Sequence, residues 1–381
     1  MRILLATDAW EPQVNGVVRT LTRTLAECRA MGHEVEVVAP SQFKTVPLPT
    51  YPEIKIAVGC HEAVRERMTR FEPEAIHIAT EGPIGLAARS ICLEWKLPFT
   101  TSYHTRFPEY VSARLPLPLS AGYAFMRWFH APSGRLMVAT PTMRAELEKR
   151  GFRNMSPWTR GVDTGLFRPG LEPVFEGVER PVFLYVGRVA VEKNIEAFLK
   201  LDLPGTKVVV GEGPQKEELA AAHPRAVFTG AKFGEDLARA YADADVFVFP
   251  SLTDTFGLVI LEAMATGTPV AAFPAPGPID IIPGSGAGVL AESTAGGLRE
   301  ACLEALKLDS GAVRAYAERF SWRTCAEEFV RNLQPYPEPQ KTRFWRRLRR
   351  LTRLRRRKAP FSIPMGAARP AESPRSPQGS S

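Results

Sequence analysis

The sequence predicts an α/β protein made of two doubly wound parallel-sheet domains that face each other across a cleft. Three observations predict it. Short apolar runs rich in Val, Ile and Leu alternate with amphipathic helical stretches, the pattern of a parallel sheet covered by helices on both faces. That pattern lapses into Gly, Pro and polar residues over 157–179 and then starts again at 181–185. The 381 residues exceed the size at which one hydrophobic core stops growing, about 250–300 residues.

In the first half the expected strands are 2–6, 34–39, 75–78, 99–102 and 136–139, separated by helical stretches such as 17–31, 83–96 and 143–150. In the second half strands are expected at 181–185, 207–210, 226–229, 246–249 and 270–272, with helices beginning near Asn194, Gln215, Glu235 and Gly257. The domains are placed at 1–165, on the acceptor side, and 166–334, with the last helix of the second returning to the first. A basic segment over 335–358 and a disordered Pro/Ser/Gly/Ala-rich tail over 359–381 complete the chain. Ligands of such domains bind at the carboxyl ends of the strands, hence in the cleft.

With 45% hydrophobic and 24% charged residues the composition is that of a soluble globular protein. The five cysteines (28, 60, 92, 302, 325) are odd in number, scattered and never paired as C-x-x-C, which argues against a disulfide framework or zinc site and for a reducing cytoplasm. No apolar run approaches the ~20 residues that span a bilayer, and the N-terminus reads as a buried strand and not a signal peptide. The net charge of +8 is local: residues 341–358 carry eleven Lys or Arg and no acid, and removing those eleven leaves −3 for the rest.

Four segments carry chemistry. Asn15-Gly16 follows the first strand and opens a helix, where backbone N–H groups suit an anion, although an ordinary strand-to-helix turn has the same form. Gly187 to Asn194 likewise follows a strand and places Arg188 and Lys193 at the cleft, suited to a diphosphate leaving group, with two solvated loop cations as the plain alternative. Neither is a phosphate loop of the G-x-x-x-x-G-K-[ST] type, and Gly211-Glu212-Gly213-Pro214 is no dinucleotide fingerprint, which disfavours a nucleotide triphosphatase or a dehydrogenase. Asp254 lies in the loop after the strand ending at Phe249, Gly257 starts a helix, and Glu262 sits over a turn inside it between Ile260, Leu261, Ala263 and Met264, a largely buried acid needing a reason. Two acids so spaced suit hydroxyls on the two rings of a sugar nucleotide. His104 lies just past a first-domain strand at the cleft.

The stretch from Asp254 to Glu262 resembles the E-x7-E motif of retaining glycosyltransferases of family 4, which have the GT-B fold of two Rossmann-like domains. Its companions fall in that family's order: Asn15-Gly16, Arg160 to Asp163, Gly187 to Asn194 and Gly211 to Pro214. Thr80 to Gly85, Tyr103-His104-Thr105 and Pro276 to Asp280 look similar to the branch of mannosyltransferases and glycosyl- and sulfoquinovosyl-diacylglycerol synthases. The resemblance covers roughly residues 1 to 333. It implies that Glu262 binds the donor ribose, Arg188 and Lys193 the diphosphate, and Asp254 with the following amides of Phe256, Gly257 and Leu258 the transferred sugar. Gly16 completes the donor site, and His104 stabilises the forming oxocarbenium ion and donor phosphate. The family's first motif acid is usually Glu; Asp254 is one methylene shorter. The donor, UDP- or GDP-linked, is a substrate; no cofactor and no catalytic metal are expected.

The basic segment has its own pattern. At about 100° per residue Phe344, Trp345, Leu348, Leu351 and Leu354 gather on one half of a helix while most of the arginines up to Arg353 fill the other, and Phe344, Trp345, Arg346, Arg347, Arg349 and Arg350 are the expected membrane residues. Such a helix is expected to lie on an anionic membrane, making the protein peripheral on the inner face of the cell membrane with a lipid acceptor such as diacylglycerol or a glycolipid. A soluble or polysaccharide acceptor, a nucleotide-sugar epimerase of the same fold, and nucleic-acid binding by the tail are the alternatives. No nucleic-acid partner is expected, because the acidic body shows no reader module.

Overall fold

The computed structural model of the protein describes residues 1–336 apart from 14, 49–50, 113–117, 253 and 293–295, together with residues 344–345. Two compact units divide the chain, Met1–Pro337 and Glu338–Ser381, and the architecture below is that of the first.

The first half runs β1 (Arg2–Ala6), α1 (Gly16–Ala30), β2 (Glu34–Val38), β3 (Thr45–Leu48), β4 (Tyr51–Ala57), α2 (His61–Phe71), β5 (Ala75–Ile78), α3 (Pro83–Trp95), β6 (Thr100–Tyr103), α4 (Phe107–Ser112), α5 (Leu119–His130), β7 (Arg135–Val138), α6 (Pro141–Lys149) and β8 (Met155–Pro157). Six of these strands form a parallel sheet in the order β2-β1-β5-β6-β7-β8. Ile3, Leu4, Leu5 and Ala6 of β1 are fully buried, as a strand covered on both faces requires.

The second half runs β9 (Val182–Val186), α7 (Ile195–Leu199), β10 (Thr206–Val210), α8 (Lys216–Ala222), β11 (Val227–Gly230), α9 (Gly234–Ala242), β12 (Val246–Phe249), α10 (Leu258–Ala265), β13 (Val270–Ala272), α11 (Pro278–Ile281), β14 (Gly288–Leu290), α12 (Gly297–Ala305), α13 (Ser310–Ala317) and α14 (Trp322–Asn332). Its sheet, also parallel, has the order β11-β10-β9-β12-β13-β14, with two strands beyond its first strand where the first sheet has one. The fold is therefore two Rossmann-like sheets, each reversing direction beside its first strand.

Every strand expected from the apolar runs is present, with ends displaced by at most one residue. The β3–β4 antiparallel hairpin was not expected, because Pro47 and Pro52 break its apolar run and read as loop; a two-stranded hairpin off the main sheet tolerates them. The three-residue strands β8 and β14, which contain Pro157 and Gly288, are too short to leave a periodicity. Helix α14 returns to the first sheet: Trp322, Cys325, Ala326 and Phe329 share a core with Ile3, Leu5, Leu21 and Leu25. Between the sheets, Thr142 donates through both its amide and hydroxyl to Asp280 Oδ1, each at 3.0 Å.

Asp8 organises the loops at the end of the first sheet. Its carboxylate accepts from the Ile84 and Gly85 amides at 2.9 and 3.2 Å and from the Thr80 hydroxyl at 2.9 Å, capping α3 from the neighbouring strand. Burial raises its pKa even though these bonds favour the anion. A Cβ on Gly85 would stand 1.9 Å from the Thr80 carbonyl oxygen, so the turn from Thr80 to Gly85 requires glycine there.

Candidate active site

In the second sheet β9 lies between β10 and β12, so the loops leaving β9 and β12 part company and open a crevice. Two of the residues singled out in the sequence meet there: Lys193 Nζ lies 2.6 and 2.9 Å from the two carboxylate oxygens of Asp254. Both are about four-fifths buried, so the pair is only partly screened by water. The loops are fixed around it. Tyr185, fully buried, donates its hydroxyl to the Arg188 carbonyl at 2.9 Å, and Asn194, in the left-handed region at φ 53°, donates to the Pro250 carbonyl at 3.1 Å. Arg188 is half-buried on the same loop. Phe256 turns into the core, and Gly257 takes φ 82° where a Cβ would meet Ile260 and Phe249 at 3.0 and 3.1 Å. Helix α10 then starts at Leu258, with its first amides at the same crevice.

Glu262 is 3% exposed, and its partners are now named: Arg19 of the first domain forms an ion pair with Oε1, and the buried Tyr241 hydroxyl donates to Oε2 at 3.2 Å. Glu262 raises the Arg19 pKa further, against the burial that lowers it. The pair borders a cavity of about 170 Å³ that also touches Arg23, Asp163, Gly234 and Leu237. Neither Arg19 nor Tyr241 was singled out in the sequence. Arg19 carried a readable signal, since it follows Gly16 by one helical turn and shares its face. Tyr241 carried none, because its approach to Glu262 depends on how α9 packs on α10.

On the first domain Gly16 stands beside the start of α10, where an added Cβ would lie 3.8 Å from Leu258 Cδ1, ordinary contact. The expectation for this turn needs correcting in one respect. Asn15 Oδ1 already accepts from the Val17 and Val18 amides, both at 3.0 Å, so two of the helix's N–H groups are spent on its own cap and are not open to an anion.

His104 comes against the Asp254 loop: the Thr255 hydroxyl donates to the His104 carbonyl at 2.8 Å. Its ring packs edge-on against Trp158, with centroids 5.4 Å apart, and Arg160 Nη2 approaches Nδ1 at 3.4 Å. Burial first, then Arg160, His77 and His130, hold the imidazole well below its ordinary pKa, so it is neutral. His77, for which the sequence offered no partner, donates to or accepts from Thr100 and Ser102 at 2.9 and 3.1 Å, and burial lowers it to about 3.

The structure thus gathers Lys193, Asp254, Glu262, Gly16, Leu258 and His104 about one cleft, with Arg188 on the same wall. The tail residues belong to the second unit: Phe344 is half-buried and Trp345 buried, their rings T-shaped at 4.9 Å, while Arg346, Arg347, Arg349 and Arg350 lie outside the described residues. Among the described residues no group of three His, Cys, Asp or Glu is placed to hold a metal ion, and no helix is long and apolar enough to cross a membrane.

Residues 14–166 match the family described as Glycosyltransferase Family 4, and residues 180–307 the one described as Glycosyl transferases group 1. A GDP-mannose-dependent alpha-mannosyltransferase of Mycobacterium tuberculosis is 31% identical over 74% of this chain and 81% of its own length. The chain is a family 4 glycosyltransferase. Other relatives of this glycosyltransferase are a sulfoquinovosyl transferase of Arabidopsis thaliana, 29% identical over 84% of this chain and 70% of the relative, and an alpha-monoglucosyldiacylglycerol synthase of Streptococcus pneumoniae, 27% identical over 71% of each. Among solved structures, sucrose-phosphate synthase of Thermosynechococcus elongatus superposes with a TM-score of 0.66 at 22% identity, covering 87% of this chain and 97% of that one. Anabaena HepE in complex with UDP-glucose superposes with a TM-score of 0.65 at 17% identity, over 87% and 98%. The family 4 enzyme accordingly has the GT-B fold and belongs among the hexosyltransferases.

Proposed function

We propose that this enzyme moves a hexose, with its α configuration retained, from a nucleotide diphosphate sugar to a membrane lipid. The observation that carries the donor half is the convergence of Lys193, Asp254 and the start of α10 in the crevice of the second sheet, with His104 hooked onto the same loop from the first. The C1–O bond to the diphosphate breaks, the acceptor hydroxyl oxygen bonds C1, and the hydroxyl proton leaves with the nucleotide. Lys193, Arg188 and the α10 amides meet the charge that builds on the departing diphosphate. Asp254 accepts from hydroxyls of the sugar. Glu262 accepts from the ribose, for which Arg19 must yield.

Support for a lipid acceptor comes from three sides. The Streptococcus pneumoniae relative is named for making a lipid, alpha-monoglucosyldiacylglycerol. Just past His104, Phe107, Pro108, Val111, Ala121, Gly122 and Phe125 line an apolar cavity of about 210 Å³ between α4 and α5. Around it Phe107, Leu119 and Trp128 are 45%, 37% and 52% exposed, an apolar rim of a kind that suits acyl chains better than sugars.

Incubation with UDP-glucose, UDP-glucuronate, UDP-galactose or GDP-mannose and vesicles containing diacylglycerol should give a lipid-linked product from one donor. The product's anomeric proton coupling should be that of an α linkage; a β linkage refutes retention, and transfer only to soluble acceptors refutes the lipid. Truncation after Pro335 tests the basic segment. The shortened protein should no longer sediment with anionic liposomes and should lose about tenfold or more in lipid transfer, at roughly 1 kcal/mol per cation removed from the interface, while donor binding is unchanged. Undiminished sedimentation would remove the membrane role from the tail.

A further inference from the structure

Arg160 is the residue of the Arg160–Asp163 element whose side chain reaches His104. It is 4% exposed, and the Glu328 carboxylate, which accepts from the neighbouring Thr159 amide, favours its charged form against burial. Its Nη1 donates to the Trp158 and Thr159 carbonyls at 2.6 and 2.9 Å, its guanidinium lies 4.5 Å over the Trp158 ring, and its Nη2 donates to His104 Nδ1 at 3.4 Å. Two carbonyls and an indole face hold the fork in place, so the contact with the imidazole is set by rigid neighbours.

We infer that Arg160 is the positioning residue that fixes His104 as its Nε2–H tautomer, so that the imidazole offers a hydrogen-bond donor, and no base, to an oxygen of the bound donor substrate. Arginine has five N–H donors and no acceptor, so the atom it meets must carry a lone pair. Nδ1 is therefore unprotonated, and the one ring proton sits on Nε2. That atom is buried and has no hydrogen-bond partner among the described residues. A buried N–H without a partner is unfavourable, and an incoming oxygen relieves that cost. The groups facing the ring all keep it neutral: Arg160, His77 and His130 each disfavour a second positive charge, and Trp158 excludes water. Burial lowers Arg160 itself only to about 10, so it stays charged at neutral pH. The Thr255 bond to the His104 carbonyl places this donor against the sugar-side loop of the other domain. The assignment of an oxygen ligand rests on the glycosyltransferase reading of the cleft; the assignment of the tautomer does not.

The test is two-bond ¹H–¹⁵N correlation on the full chain labelled at histidine, with His104→Gln used to assign the signal. In the unliganded protein His104 should show the Nε2–H pattern alone and should not titrate between about pH 5.5 and 8, whereas an ordinary histidine has its midpoint near 6.5. In Arg160→Met the signal should become a mixture of tautomers with its midpoint raised, burial still holding it below the ordinary value, and turnover should fall by about tenfold or more. An Nδ1–H pattern or an ordinary titration in the unaltered protein overturns the inference even if the variant fails to fold. An unchanged tautomer and midpoint in folded Arg160→Met overturns it as well. If no nucleotide sugar is turned over at all while the Nε2–H pattern is found, the functional reading fails and the tautomer assignment stands.

Discussion

Lys193→Ala is expected to cut turnover by about a hundredfold or more, close to 3 kcal/mol of transition-state stabilisation. The ammonium is held in the crevice by both oxygens of Asp254, with side chains only about one-fifth exposed, so its field is little damped by water. As a diphosphate departs, that charge is needed in the transition state more than in the bound ground state, so the loss should fall on kcat more than on KM. Removing Lys193 also leaves Asp254 as an unpaired carboxylate facing the same leaving group, which adds repulsion to the lost attraction. Arg188→Ala and Glu262→Ala should have effects of similar size for separate reasons. The first removes the second cation of the loop; the second removes the acceptor for the ribose and strands Arg19 in the cleft. Initial rates of donor hydrolysis and transfer, on variants whose circular dichroism matches the parent, decide the matter. Near-normal rates in two of the three would remove the diphosphate and ribose assignments together.

How much of this was legible in the sequence follows from how local each signal is. Strands such as 246–249 and 270–272 announce themselves because a strand buried on both faces must be apolar throughout. Gly257 is legible because a strand-to-helix turn with φ 82° leaves little choice of residue. The crevice residues Lys193 and Asp254 were placed in the right loops, yet their ion pair was not foreseen, because it depends on β9 and β12 being neighbours across some sixty intervening residues. Glu262 shows the limit most clearly. An acid between four apolar residues announces burial, but its partners Arg19 and Tyr241 come from another domain and another helix, and no periodicity encodes a contact across 243 residues. The return of α14 to the first sheet is fixed by Trp158 meeting Phe329, two aromatic residues that in sequence are ordinary core candidates.

That meeting point carries the largest expected effect on stability. Trp158 follows directly on β8, is fully buried, and has its ring centroid 5.1 Å from Phe329 of α14 and 5.7 Å from His77 of β5. Trp158→Ala removes the largest side chain of this cluster, and the space it vacates is lined on one side by Arg160 and His77, groups that do not collapse into an apolar void. The expected cost is about 3–5 kcal/mol, a fall in melting temperature on the order of 10 °C for a chain of this size. Because Phe329 loses its principal aromatic partner, α14 should loosen first, and its amides should exchange faster than those of α10, which packs elsewhere. Trp158→Phe keeps a ring against Phe329 and should recover most of the loss, separating the packing contribution from any effect of the missing indole N–H. Urea denaturation and amide exchange measured on both variants make the comparison. A loss below about 1 kcal/mol in Trp158→Ala, or exchange in α14 no faster than in the parent, would show that the helix is held to the first sheet by its aliphatic contacts with Leu21 and Leu25 and not by the aromatic cluster beneath His104.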